Sequence, residues 1–78
     1  MTLQKARLQF KKRLEKAFGG EIFLADWEDN RVAWEGSPLV GLKYSNIDAY
    51  LEAFEKALEG TGYWMESDNS CEGNLYKI

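Results

Sequence analysis

The apolar period of this chain changes once, at Gly19-Gly20, and that change limits its fold more than any other feature. Before it, Leu3, Ala6, Phe10, Leu14 and Ala17 recur at steps of three and four, and Phe18 widens the stripe. This predicts an amphipathic helix over residues 3–18. Thr2 is placed to cap its first turn, and the two glycines end it, because glycine enters the left-handed cap without a Cβ clash. Leu8 lies off the stripe, as a contact residue would. After the glycines, "EIFLADWEDNRVAWEG" alternates as a half-buried hairpin does. A turn at Asp29-Asn30 pairs Glu28 with Arg31, Trp27 with Val32 and Ala25 with Trp34. Phe23, Ala25, Trp27, Val32 and Trp34 then share one face, and Asp26, Glu28, Arg31 and Glu35 the other.

Ser37-Pro38 breaks this pattern, and "LVGLKY" predicts a third strand with Val40, Leu42 and Tyr44 alternating onto one face. A second helix starts at Ser45, which has capping-box spacing to Asp48, and carries the apolar stripe Ile47, Leu51, Phe54 and Leu58. Gly60 and Gly62 close it. "YWMES" and "LYKI" predict two last strands around the polar loop "DNSCEGN". The expected fold is α+β, a single domain over residues 1–78 in the order α-β-β-β-α-β-β, with an antiparallel sheet packed against two helices.

A chain of 78 residues with one cysteine has no disulfide to rely on, so the core must hold it. Apolar residues at 45%, eleven of the chain's residues being aromatic, are enough to build one. The lone Cys71 suits a reducing, cytoplasmic compartment. No apolar run approaches the roughly 18 residues of a membrane span.

Catalysis has little to work with. The chain contains no histidine, which removes the commonest general base and metal ligand. Cys71 sits between Asp68 and Glu72, where negative charge disfavours the thiolate. "GSPLVGLKYS" has the glycines of a phosphate loop, but Lys43 comes one residue late and Pro38 interrupts it. "DNSCE" spaces oxygens like half a calcium loop without its central glycine. The expectation is a protein with no enzymatic activity, no metal and no cofactor.

Charge is the informative feature. Residues 1–20 hold six Lys/Arg against one Glu, +5, while residues 21–78 hold four against twelve Asp/Glu, −8. In the second helix Asp48, Glu52, Glu55 and Glu59 fall within about 60° of one another at about 100° per residue. Carboxylates at these spacings destabilise a helix by a few tenths of a kcal/mol per pair. A line kept despite that repulsion resembles in charge the phosphates of a nucleic-acid strand. The row, extended by Glu66, Asp68 and Glu72 of the last hairpin, is therefore the expected partner-binding surface. The partner would be a basic, nucleic-acid-handling protein, with the chain as its inhibitor and no direct binding to nucleic acid or membrane. A homodimer is compatible with this reading.

The rival reading rests on Lys5, Lys12 and Lys16, aligned on the outer face of the first helix as a phosphate-binding stripe. Over about residues 3–59 the expected order α-β-β-β-α resembles that of double-stranded-RNA-binding domains. That resemblance implies a lysine-rich start to the last helix, where this chain reads "SNIDAYLE". The expected order and the acidic surface also resemble, in type, some small phage anti-CRISPR inhibitors, and short length, absent catalytic groups and concentrated carboxylates suit a protein that blocks another protein.

Overall fold

The computed structural model describes residues 1–24 and 30–78. It contains α1 (Leu3–Phe18), β1 (Glu21–Leu24), β2 (Arg31–Gly36), α2 (Leu39–Ser45), α3 (Ile47–Ala57), β3 (Tyr63–Ser67) and β4 (Glu72–Lys77). The strands form one antiparallel sheet in the order β1-β2-β4-β3. The α+β class and the antiparallel sheet packed on helices are as expected, whereas the element order is α-β-β-α-α-β-β.

α1 follows its sequence signals. The Thr2 hydroxyl accepts the Lys5 N–H at 3.3 Å, and Ala6, Phe10 and Leu14 are buried. The helix ends at Gly19, whose φ is +76°, and Gly20 follows at φ +74°. A side chain on Gly20 would strike the Gly36 carbonyl, so this position needs glycine for its backbone angle and for close approach.

The expected third strand is the helix α2. Ser37-Pro38 starts a helix here: the Ser37 hydroxyl accepts the Leu39 N–H at 3.3 Å, and proline fits a first helical turn, where an N–H has no partner in any case. Leu39 is fully buried, Leu42 one turn later is partly buried, and Tyr44 is 76% exposed. A short apolar run reads equally well with period two or three, and burial of Leu39 decides it. With a helix here, the element order shared with double-stranded-RNA-binding domains is lost, and three helices rather than two cover the sheet.

The hairpin register also differs. Leu24 faces Val32, Phe23 faces Ala33 and Glu21 faces Gly36, with an irregularity between Glu21 and Phe23. The expected register is off by three residues, an odd number, so the side chains of β1 exchange faces. Ile22 enters the core, and Phe23, expected inside, is 51% exposed. The expected turn at Asp29-Asn30 and the partners Ala25 to Glu28 fall largely on residues 25–29, outside the described residues.

One aromatic cluster holds the layers together. Phe54 stacks on Phe10 (5.9 Å, 4°) and meets Trp34 and Tyr50, each at 4.7 Å. Trp34 is fully buried and satisfies its indole N–H on the Ser70 carbonyl at 2.9 Å.

Candidate functional site

α3 is set between two structural constraints. Asn46 ends α2, its N–H donating to the Leu42 carbonyl, and starts α3, its side-chain oxygen accepting the Ala49 N–H at 3.1 Å. Asn46 thus does the capping expected of Ser45 and Asp48. On the other side, Tyr50, Ala53, Phe54 and Ala57 form the buried face. The two alanines let α1 approach closely enough for Phe10 to stack on Phe54.

This rotation changes the meaning of the apolar stripe. Phe54 and Leu58 are buried, but Ile47 and Leu51 are 46% and 52% exposed. Taking Asp48 as origin at about 100° per residue, Glu52 and Glu55 fall within about 40° of it and Ala57 near 180°. The carboxylates therefore point away from the core rather than along its border. Ile47 and Leu51 lie beside them, about 60° to 100° round the helix.

Glu59 lies beyond the end of the helix. α3 ends at Ala57 with Leu58 as its cap, so helical periodicity no longer sets the direction of Glu59. The Arg13 guanidinium donates to the Ala57 and Glu59 carbonyls at 3.1 and 2.8 Å and brings positive charge to the negative end of α3. Within the row, Glu52 pairs with Lys56 at 3.0 Å, both well exposed, so the pair contributes little.

Beside Leu51 a groove of about 530 Å³ runs between α3 and β3. Leu51, Phe54 and Leu58 form the helix side, Tyr63 and Met65 the strand side, and Glu55 and Glu59 are exposed at its rim. Tyr50 is also in the wall. Its side chain is buried and its hydroxyl has no hydrogen-bond partner. Burial raises the Tyr50 pKa above its ordinary 10.0; nearby Ser67 and Trp34 oppose the rise, neither in hydrogen-bonding geometry.

The three hairpin carboxylates do not join the row. Strand pairing puts Ala33 opposite Glu72, and Arg31 and Glu66 each opposite Asn74, on the sheet face away from buried Val32. There Arg31 holds Asp68 at 2.6 Å and Glu72 at 2.7 Å, which ties β2 to the β3–β4 hairpin. The Asp68 carboxylate, then that of Glu72, holds the guanidinium pKa above its ordinary value. Asp68 and Glu72 are therefore engaged within the fold, and Glu66 stands exposed near the sheet edge. The same outer face carries exposed Trp64 against Tyr76, with ring centroids 5.4 Å apart.

On α1, Lys5, Lys12 and Lys16 are exposed opposite the core face, and no carboxylate pairs with them among the described residues. Leu8 is exposed at 46%. Neighbouring Lys11 is engaged with Glu15 at 2.7 Å, and Glu15 also accepts the Ile22 N–H at 3.0 Å. Those two bonds, the lysine first, hold the Glu15 pKa below its ordinary 4.5.

Among the described residues no three His, Cys, Asp or Glu side chains group as metal ligands, and no helix is long and apolar enough to cross a membrane. No family model, curated protein or solved structure matches the chain. Sequence periodicity alone found the carboxylate row. It missed exposed Ile47, Leu51 and Trp64 and the groove, whose only sequence signal is that α3 has more large apolar residues than one face needs.

Proposed function

We propose that the protein is a small, non-enzymatic binding domain that presents the outer face of α3 to a basic, nucleic-acid-handling protein and blocks it. The observation that supports this most is the exposed pair Ile47 and Leu51 beside Asp48, Glu52 and Glu55. An apolar strip that can be desolvated supplies affinity, and the carboxylates steer a cationic surface onto it. The site residues in this reading are Asp48, Glu52, Glu55 and Glu59; Glu66 lies on the outer sheet face, and Asp68 and Glu72 are committed to Arg31.

The test uses the immobilised protein to capture a basic partner from a cell extract. Duplex oligonucleotide and added salt should both displace that partner. A variant carrying D48K, E52K, E55K and E59K should keep its circular dichroism spectrum and lose capture. Equal capture by that variant would show the row to be an ordinary solvated face.

A second reading has its own observation, the unpaired Lys5, Lys12 and Lys16 on α1. It makes the protein a nucleic-acid-binding module. A salt-dependent gel shift at micromolar protein, lost on changing these three lysines to Glu, would favour it.

A further inference from the structure

We propose that the groove between α3 and β3 takes an extended, basic segment of the partner, which adds to the sheet as a fifth strand along β3. The inference deepens the proposed function, on which it rests for the charge of the partner.

The first observation is the edge. Among the described residues β3 pairs only with β4 and ends the sheet. Ile78 N–H donates to the Gly62 carbonyl at 3.0 Å and Asp68 N–H to the Glu72 carbonyl at 2.9 Å. The hydrogen-bonded positions of this ladder therefore fall on even-numbered residues, and odd-numbered residues point their backbone groups outward. The Tyr63 N–H is taken by the Thr61 hydroxyl at 3.2 Å. Met65 and Ser67 are left with N–H and C=O groups directed away from the sheet, spaced as an incoming strand requires. An edge of this kind is a template for strand addition.

The second observation is the groove next to that edge. From Tyr63 to Ser67 the strand runs about 13 Å at about 3.3 Å per residue, room for four or five residues of an added strand. Alternate side chains of that strand would point to the helix side, over Leu51, Phe54 and Leu58, and apolar side chains fit there. The intervening side chains would project on the outer face, beside exposed Glu66, while flanking ones meet Glu55 and Glu59. Among the described residues no lysine or arginine lines the groove. Charge complementarity therefore selects a segment alternating apolar and basic residues, and it opposes a second copy of this chain, whose own groove rim is acidic. Inside the wall, the unpartnered Tyr50 hydroxyl is a hydrogen-bond donor that the free protein leaves unused.

The experiment uses a blocked hexapeptide alternating lysine and valine, titrated into the full chain. Fluorescence anisotropy reads affinity, and amide hydrogen exchange by NMR reads location. Saturable binding is expected, with exchange at Met65 and Ser67 slowed about tenfold or more once an added strand covers them. Leu51→Ser and Glu66→Lys both change exposed side chains, and each should weaken the peptide by about tenfold. Binding that leaves Met65 and Ser67 exchange unchanged overturns the proposal, as does no saturation at millimolar peptide. Equal affinity for a glutamate–valine peptide overturns the basic occupant. Protection of Met65 and Ser67 that rises with protein concentration in the absence of peptide assigns the edge to a second copy and also overturns it. Glu21 is exposed on β1, at the sheet edge opposite β3, so Glu21→Lys should leave peptide affinity within about twofold. The proposed function instead fails if partner capture survives reversal of the whole row, whatever the peptide does.

Discussion

α1 and α3 pack against each other, yet they use their apolar residues differently. α1 buries one stripe, Ala6, Phe10 and Leu14, and the opposite side is lysine. α3 buries Tyr50, Ala53, Phe54 and Ala57, and still leaves Ile47 and Leu51 about half exposed next to its carboxylates. The core beneath α3 is filled by an aromatic cluster on the Tyr50 and Phe54 side, and Ile47 and Leu51 lie further round the helix from it. A helix with more apolar surface than its core can take has a second apolar face, and on this chain that face borders a groove and an open sheet edge. α1 is thus a structural helix with a solvated back, and α3 is a structural helix with a surface suited to a partner.

The comparison breaks most visibly in the shared core. Phe10→Ala opens a cavity against Phe54 and Trp34 and should destabilise the protein by about 3–5 kcal/mol in urea unfolding. A loss under about 1 kcal/mol would mean that the two helices do not depend on this stack. Tyr50→Phe removes the buried, unpartnered hydroxyl and should stabilise the free protein by about 1 kcal/mol. The raised Tyr50 pKa adds a pH signature. The folded state holds this proton more tightly than the unfolded chain does. The associated stability is complete below about pH 10 and is lost as pH rises through the folded pKa. Melting temperatures above pH 10 should therefore fall less steeply in the Phe variant.

Arg13 tests the joint between the helices, because it sits on α1 and caps α3. Arg13→Ala should cost about 1 kcal/mol, and salt should shrink the difference from wild type. Glu15 sharpens the contrast from the α1 side. Its lowered pKa means that its stabilisation is present above the unfolded carboxylate value and is lost as pH falls through the folded value. A melting profile from pH 6 to pH 3 should be less acid-sensitive in Glu15→Gln by a small margin. An identical slope would show that the Lys11 and Ile22 contacts contribute nothing.

Much of this architecture was legible residue by residue. α1 was readable because its period, Thr2 cap and glycine stop all agree. The hairpin was recognisable, but its strands pair three residues out of the expected register, and Phe23 changed faces as a result. α2 was hidden because "LVGLKY" is short enough to satisfy either period, and Ser37-Pro38 signals a helix start as readily as a strand break. The carboxylate row was visible from spacing alone up to Glu55; helical spacing does not carry it to Glu59, because the helix ends at Ala57. Exposure of Ile47 and Leu51 was not legible. It depends on which face α1 and the sheet claim, and Ala53 and Ala57 look unremarkable in a stripe of leucines. The groove was hidden for a related reason: β3 is an edge only because β4 inserts between it and β2.

The central claim is that the fold does not need the outer strip of α3. The direct measurement is the urea midpoint of the double variant Ile47→Ser, Leu51→Ser, compared with Leu14→Ser on α1. The account predicts that the α3 double variant stays within about 1 kcal/mol of wild type, while the single α1 change costs several kcal/mol and approaches unfolding. A double variant destabilised as strongly as Leu14→Ser would contradict it, because Ile47 and Leu51 would then be core residues and not a surface held for a partner.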